Sequence, residues 1–206
     1  MLDNLSEKEL DALKEIGNIG AGNAATALYQ ILGMKIDMTV PRASIIPLQE
    51  VPEVLGGPDV LVIGVYLRVL GDASGSILFV MPKDSAFYLV DLLMGKPAGD
   101  TQVLGEIEES ALKEIGNIIS GAYLNALSQF TNISFIPSVP ALAFDMAGAI
   151  LDVILAELGQ LGDYALLVET QFLGGGDGGS ITGQYFLIPD PDSLGTILEA
   201  IGVKSK

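Results

Sequence analysis

Two pairs of side chains in this sequence have the types and spacing to act together: Glu15 with Asn18, and Glu114 with Asn117. In each pair a carboxylate precedes an amide by three residues, which places both on one face of an α-helix. The carboxylate can pair with a cation, and the amide can both donate and accept hydrogen bonds. Few other chemistries are open, because the chain has no histidine and no cysteine. That excludes Ser-His-Asp and Cys-His nucleophile pairs, imidazole acid–base catalysis, zinc-type sites, thiolate metal sites and a disulfide framework. The chain has 26 acidic residues, but no Asp-x-Asp-x-Asp loop or Glu-x-x-His pattern gathers them into a carboxylate metal site.

Both pairs lie in one stretch that the chain contains twice. Ala12 to Ile19 (ALKEIGNI) recurs letter for letter as Ala111 to Ile118, an offset of 99 residues. At the same offset Gly22 matches Gly121 and Pro41 matches Pro140. At about 100° of rotation per residue, Asp11, Glu15, Asn18 and Gly22 form one stripe of a helix. Leu13, Ile16, Gly20, Ala24, Ala27 and Ile31 gather on the other side. In the second copy Ser110, Glu114, Asn117 and Gly121 form the stripe, and Leu112, Ile115, Ile119, Tyr123, Ala126 and Phe130 the apolar side. The pattern predicts two amphipathic helices with their polar stripes facing outward.

A Glu and an Asn on one such helix would read as ordinary solvated surface. The duplication alters that reading. Packing requires buried positions to stay apolar and makes no demand on outward ones. The flanks have diverged: 35–41 and 134–140 agree only at Val40/Val139 and Pro41/Pro140, yet the outward Glu and Asn are unchanged. A surface function used twice accounts for this. The glycines at 17, 20 and 22 each weaken a helix by about 1 kcal/mol relative to alanine, so something must approach its backbone closely. Packing on a sheet suits Gly20, and approach from outside suits Gly22.

The remaining elements follow in order. Ser6 and Glu9 form a capping box opening a helix to about Leu32. Short strands are expected over 35–40 and 43–47, then a weakly helical 48–55. A hairpin follows over 60–70 and 75–81 with its turn at 71–74, and then a helix over 85–94. A linker over 96–104 leads to the second long helix, from about Glu106 to Phe130. Strands are expected at 133–136 and 141–144, a helix over 147–158, strands at 164–172 and 183–188, and a last helix over 193–201. The glycine-rich run 174–180 lacks the Lys-Ser/Thr of a phosphate-binding loop and reads as a hairpin connection. The expectation is an α+β fold made of two helix–strand–strand–helix–strand–strand repeats, about 6–95 and 106–202, in one pseudo-two-fold domain spanning 1–206. Its sheet should be largely antiparallel or mixed, with helices packed on it.

A net charge of −16 repels nucleic-acid phosphates and anionic lipid surfaces. The N-terminus lacks the basic and apolar regions of a signal peptide. The most apolar stretch, 146–158, is short and carries Asp152 and Glu157, so it should not span a bilayer. A cytoplasmic protein without membrane insertion is expected.

Written as a pattern, each repeat reads Asp or Ser, three residues, Glu, two residues, Asn, twenty-two residues, Pro. The two sets are Asp11, Glu15, Asn18, Pro41 and Ser110, Glu114, Asn117, Pro140. This resembles the signature of the CheC-type chemotaxis phosphatases, the family that includes CheX and FliY. CheX-like members carry one motif, and FliY-like members add segments for which this chain has no room. Two intact motifs and the length lie nearest the CheC branch. The resemblance implies hydrolysis of the aspartyl phosphate on the response regulator CheY. Asn18 and Asn117 would orient the attacking water, as glutamine does in GTPases, and Glu15 and Glu114 would pair with a receiver lysine. Mg²⁺ would belong to the receiver, with no metal or cofactor bound by this chain. Asp11 and Ser110 would tune the approach or cap the stripe, and Pro41 and Pro140 would shape the strand after the helix.

The resemblance also implies a second partner, the receptor deamidase CheD, and hence an alternative function as a binding module. The helix 147–158 has apolar residues beyond one face, and an exposed strip around Ile150 and Ile154 would be a docking site for it. The alternative is that this helix is simply core.

Overall fold

The structure is a computed structural model and describes residues 7–33, 37–158, 164–173, 180–191 and 193–202. Ser6 of the expected capping box and the glycine-rich run 174–179 lie outside the described residues. The helices that carry the repeated octamer are α1 (Glu7–Leu32) and α4 (Glu106–Thr131), 26 residues each. α4 is held at its start by Glu108, whose carboxylate accepts the Gly105 N–H at 3.1 Å and pairs with Lys96 at 3.2 Å. It stops at Asn132, which adopts the left-handed conformation (φ 58°) that suits a helix end.

Each long helix leads into a strand marked by a proline. β1 (Asp37–Pro47) is a single strand with a bulge between Thr39 and Arg42, the stretch that contains Pro41. The two short strands expected here are therefore one, because a bulge on an edge strand accommodates a residue with no N–H. In the second half the same strand is divided into β4 (Phe135–Pro137) and β5 (Ala141–Met146), and Pro140 stands at the break. β2 (Leu61–Gly71) and β3 (Gly75–Pro82) form one hairpin, β6 (Tyr164–Leu173) and β7 (Ser180–Pro189) the other. Shorter helices complete the chain: α2 (Val51–Val54), entered from a 3-10 turn at Leu48–Glu50, α3 (Lys83–Leu93), α5 (Ala147–Leu158) and α6 (Ser193–Ala200).

The seven strands of the described residues join one sheet in the order β1-β6-β7-β3-β2-β4, with β5 also paired to β2. Every pairing is antiparallel, which realises the α+β expectation. The order is a palindrome about the β7–β3 junction and reveals an exchange. β1 pairs with β6 of the other half's hairpin, and β4 and β5 pair with β2. The helices follow their strands. Gly17 of α1 lies over Val40 and over Val168 of β6, and Gly116 of α4 lies over Val65 of β2. An added Cβ would come within 3.2 Å and 2.6 Å of these valines, so the repeated glycine seats each helix on the sheet.

The sheet is covered on both faces. On β2, Ile63, Val65, Leu67 and Val69 join the core under α1, α3, α4 and α6, whereas Val62 joins a second core under α5. The alternation is that of a strand buried on both sides. The halves are tied again at the second face, where the Arg68 guanidinium on β2 forks onto Asp190 after β7 at 2.9 and 2.5 Å. Asp91 of α3, buried, accepts backbone N–H groups from Gly99, Asp100 and Thr101 and so pins the linker between the halves.

Three expectations about packing need correction. Gly20 does not rest on the sheet: it faces α4, where a Cβ would meet the Tyr123 ring at 2.5 Å. Ile31 and Phe130, expected in the core, are 55% and 48% exposed. All described residues from Tyr29 to Gly33 are exposed apart from Leu32, whose side chain is not described, so the last turn of α1 projects past the core. Ile150 and Ile154, expected on an exposed strip, are buried at 6% and 4% in the second core, and Ile150 packs against Gly64. The exposed apolar residues of α5 are Val153 (58%) and Leu155 (40%), which lie about 160° apart on opposite flanks of the buried face and do not form one strip.

Candidate active site

The polar stripes of α1 and α4 face away from the sheet. Burial of Leu13, Ile16, Gly17, Gly20, Ala21, Ala24 and Leu28 fixes the rotation of α1 and leaves Asp11, Glu15, Asn18 and Gly22 exposed. On α4, Leu112, Ile115, Gly116, Ile119 and Tyr123 are buried, while Ser110 and Glu114 are exposed and Asn117 and Gly121 are half-buried. The two stripes differ in that Asn18 stands freer than Asn117, as does Ile19 than Ile118. No hydrogen bond to another described residue occupies the amide of Asn18 or Asn117, or the carboxylate of Glu15 or Glu114.

An unengaged amide on a rigid helix is available to a partner without a prior contact being broken. The carboxylate three residues earlier lies beside it, so one docked surface can meet both. Sequence reading passed over Lys14 and Lys113. Each lies four residues before the Asn, on the side of the stripe opposite Glu, and neither has a salt bridge among the described residues. The signal was available, since both lie within the identical octamer of a chain with only ten cations.

Asp11 and Ser110 sit one turn before Glu on each stripe and make no described side-chain hydrogen bond. The prolines belong to the following strands: Pro140 is half-buried at the β4–β5 break, and the side chain of Pro41 lies outside the described residues. A hollow of about 20 Å³ lies on the buried side of α1 and α4, lined by Leu13, Gly17 and Tyr123, and two others lie elsewhere. One of about 180 Å³ runs between α5 and β5, lined by Tyr66, Leu142, Ile150 and Val153. Another, of about 290 Å³, lies at α3 and the linker, lined by Lys83, Phe87, Asp91 and Thr101. Neither contains Glu15, Asn18, Glu114 or Asn117. The candidate side chains therefore lie on the outer faces of α1 and α4 and line none of these hollows. Among the described residues no group of three or more Asp, Glu, His or Cys side chains is placed to hold a metal ion, and no helix is long and apolar enough to cross a membrane.

The model of the CheC-like family matches residues 9–45 and 107–143, the two stretches that carry the motifs. The chain is 39% identical over 204 residues to the CheY-P phosphatase CheC of Bacillus subtilis (strain 168), which covers 98% of each protein. It is 37% identical over 128 residues to the flagellar motor switch phosphatase FliY of the same organism, covering 62% of this chain and 33% of that protein. Among solved structures, Thermotoga maritima FliY superposes with a TM-score of 0.74 at 25% identity, covering 98% of this chain and 99% of that one. The duplicated motifs, the fold and the full-length similarity agree: the chain belongs to the CheC-like family.

Proposed function

We propose that this protein hydrolyses the aspartyl phosphate of a phosphorylated CheY-type receiver at two sites, Glu15/Asn18 and Glu114/Asn117. The observation that carries the reading is geometric. The paired side chains project from the outer faces of α1 and α4 and line none of the three described hollows. A small substrate would need a cleft here, whereas a receiver brings its phosphoryl group in a pocket of its own.

In this reading Glu15 or Glu114 pairs with a receiver lysine and fixes the helix on the rim of that pocket. Asn18 or Asn117 then holds a water in line with the phosphorus. Water oxygen bonds to phosphorus, the bond to the aspartyl oxygen breaks, and the carboxylate leaves with its electron pair. Of the two protons of the water, one stays on the new phosphate oxygen and the other passes to another phosphate oxygen or to solvent. A carboxylate leaving group requires no general acid, so the absence of histidine is no obstacle. Phosphoryl transfer is mainly positioning and charge stabilisation, which an amide and a carboxylate on a rigid helix can provide. The Mg²⁺ is the receiver's own.

A second reading, binding of a CheD-type deamidase as the main role, draws on the exposed Val153 of α5 at the apolar hollow against β5. α5 covers the sheet face opposite α1 and α4, so such a partner could dock without covering the stripes. The paired Glu and Asn favour the enzyme, since a scaffold has no use for them. The deciding measurement is phosphate release from a phosphorylated receiver by the Asn18→Ala/Asn117→Ala protein, checked for folding by circular dichroism. Release at the receiver's own hydrolysis rate is expected. Wild-type turnover by the folded double variant would overturn the mechanism.

A further inference from the structure

We propose that Gly22 and Gly121 keep the helix surface bare where the receiver's backbone passes over it, and so set how closely each Asn reaches the phosphoryl group. This inference rests on the phosphatase reading and extends its docking surface by one helical turn.

The two glycines stand apart from the others in α1 and α4. Gly17, Gly20 and Gly116 each have a packing reason, because a Cβ would meet Val40 at 3.2 Å, Tyr123 at 2.5 Å and Val65 at 2.6 Å. A Cβ on Gly22 or Gly121 would meet nothing within 4 Å. Backbone conformation gives no reason either, since both lie inside regular helix and neither has a positive φ. Glycine at such a position weakens the helix relative to alanine. The fold is thus less stable for having glycine there, at two positions, with no return in packing.

The repeat shows how specific the choice is. Outside the identical octamer the two helices agree at Glu7/Glu106, Glu9/Glu108, Gly22/Gly121, Ala27/Ala126, Leu28/Leu127 and Gln30/Gln129, and of these shared residues glycine alone carries a large cost in helix propensity. Both glycines lie four residues beyond the Asn, one turn further along the same face. For Asn18 or Asn117 to enter a pocket on a partner, the rim of that pocket must come down beside the helix. A Cβ on the turn adjoining the amide would project about 1.5 Å from the backbone and hold the rim away. Reaction rates are steep in this coordinate: a displacement of about 1 Å is enough to lose roughly 100-fold.

The test compares Gly22→Ala/Gly121→Ala with wild type and with Gly195→Ala, using the full chain. Gly195 is a suitable control because it is an exposed helical glycine, in α6, with nothing within 4 Å of its Cβ. Thermal midpoint and kcat/KM on a phosphorylated receiver are measured for each. The Gly22→Ala/Gly121→Ala protein should melt a few degrees higher, roughly 2–4 °C per substitution. Its kcat/KM should fall by about 10- to 100-fold. Gly195→Ala should raise the midpoint and leave turnover unchanged. Wild-type kcat/KM in the stabilised double variant overturns the glycine proposal and leaves the phosphatase reading standing. A fall in activity together with a lower midpoint also overturns it, because damage to the fold then explains the loss. Absence of turnover by wild type removes both.

Discussion

Gly20 of α1 and Tyr123 of α4 meet so closely that no methyl group fits between them. A Cβ on Gly20 would lie 2.5 Å from the Tyr123 ring and 3.1 Å from its Cα. The ring is fixed from behind by the Tyr185 ring at 4.6 Å, and its hydroxyl is 3.0 Å from the Thr170 hydroxyl. At the repeat offset the equivalents of Gly20 and Tyr123 are Ile119 and Ala24, so the seam between the site-bearing helices breaks the internal symmetry. The bulk lies on α4 and the notch on α1.

Substitution in that notch should therefore have the opposite sign to substitution two residues away. Gly20→Ala gains helix propensity but forces a Cβ against backbone. The net effect should be a loss of about 1–2 kcal/mol, read from urea denaturation, while Gly22→Ala stabilises.

The carboxylates should act on docking rather than on the chemical step. Glu15→Gln/Glu114→Gln keeps the shape of both side chains and removes the charge that would meet a receiver lysine. Steady-state kinetics should show KM raised roughly tenfold with kcat within about twofold of wild type. A collapse of kcat at unchanged KM would instead assign the carboxylates to the reaction itself.

In the proposed docking, Lys14 and Lys113 should oppose the protein's own negative field where an anionic phosphoryl group would arrive. Lys14→Gln/Lys113→Gln should raise KM by about two- to fivefold, with kcat unchanged and with the difference shrinking as salt is added. Replacement by arginine should restore KM. An effect independent of ionic strength would show that their charge is not what matters.

Alkaline pH should unfold the seam. Burial pushes the Tyr123 phenol up to about 12 against an ordinary value near 10, and the bond to Thr170 only partly offsets this. Burial also raises Tyr185, which adds to the effect. A phenol whose native pKa is raised stabilises the fold fully below pH 10, and that contribution is lost as pH rises through 12. Denaturation midpoints should fall over this window. Tyr123→Phe should flatten part of the fall and leave the remainder to Tyr185.

Much of this molecule is readable from the order of its residues. The helix 147–158 has its expected ends, because an apolar run bounded by strand residues on one side leaves little choice. The outward stripe of Glu15 and Asn18 is legible because 3.6-residue periodicity fixes a rotation. Periodicity does not say how far the covered surface extends, which is why Ile31 and Phe130 were expected inside and lie outside. Nor does it separate neighbouring positions on a helix that is apolar nearly all round: Ile150 and Val153 look alike in sequence but differ in burial. Strand order is least legible. Nothing in β1 names β6 as its neighbour, since pairing depends on where the other half's hairpin lies in space.

The exchange of helix and first strand between halves makes this chain a dimer written in one polypeptide. Gly116, two residues from Glu114, sits on Val65 of the first half's hairpin, and Gly17 sits beside Val168 of the second. Each polar stripe is therefore carried by a helix that rests partly on the opposite half. Severed at the linker, the fragments would be incomplete apart and would regain structure only by finding each other.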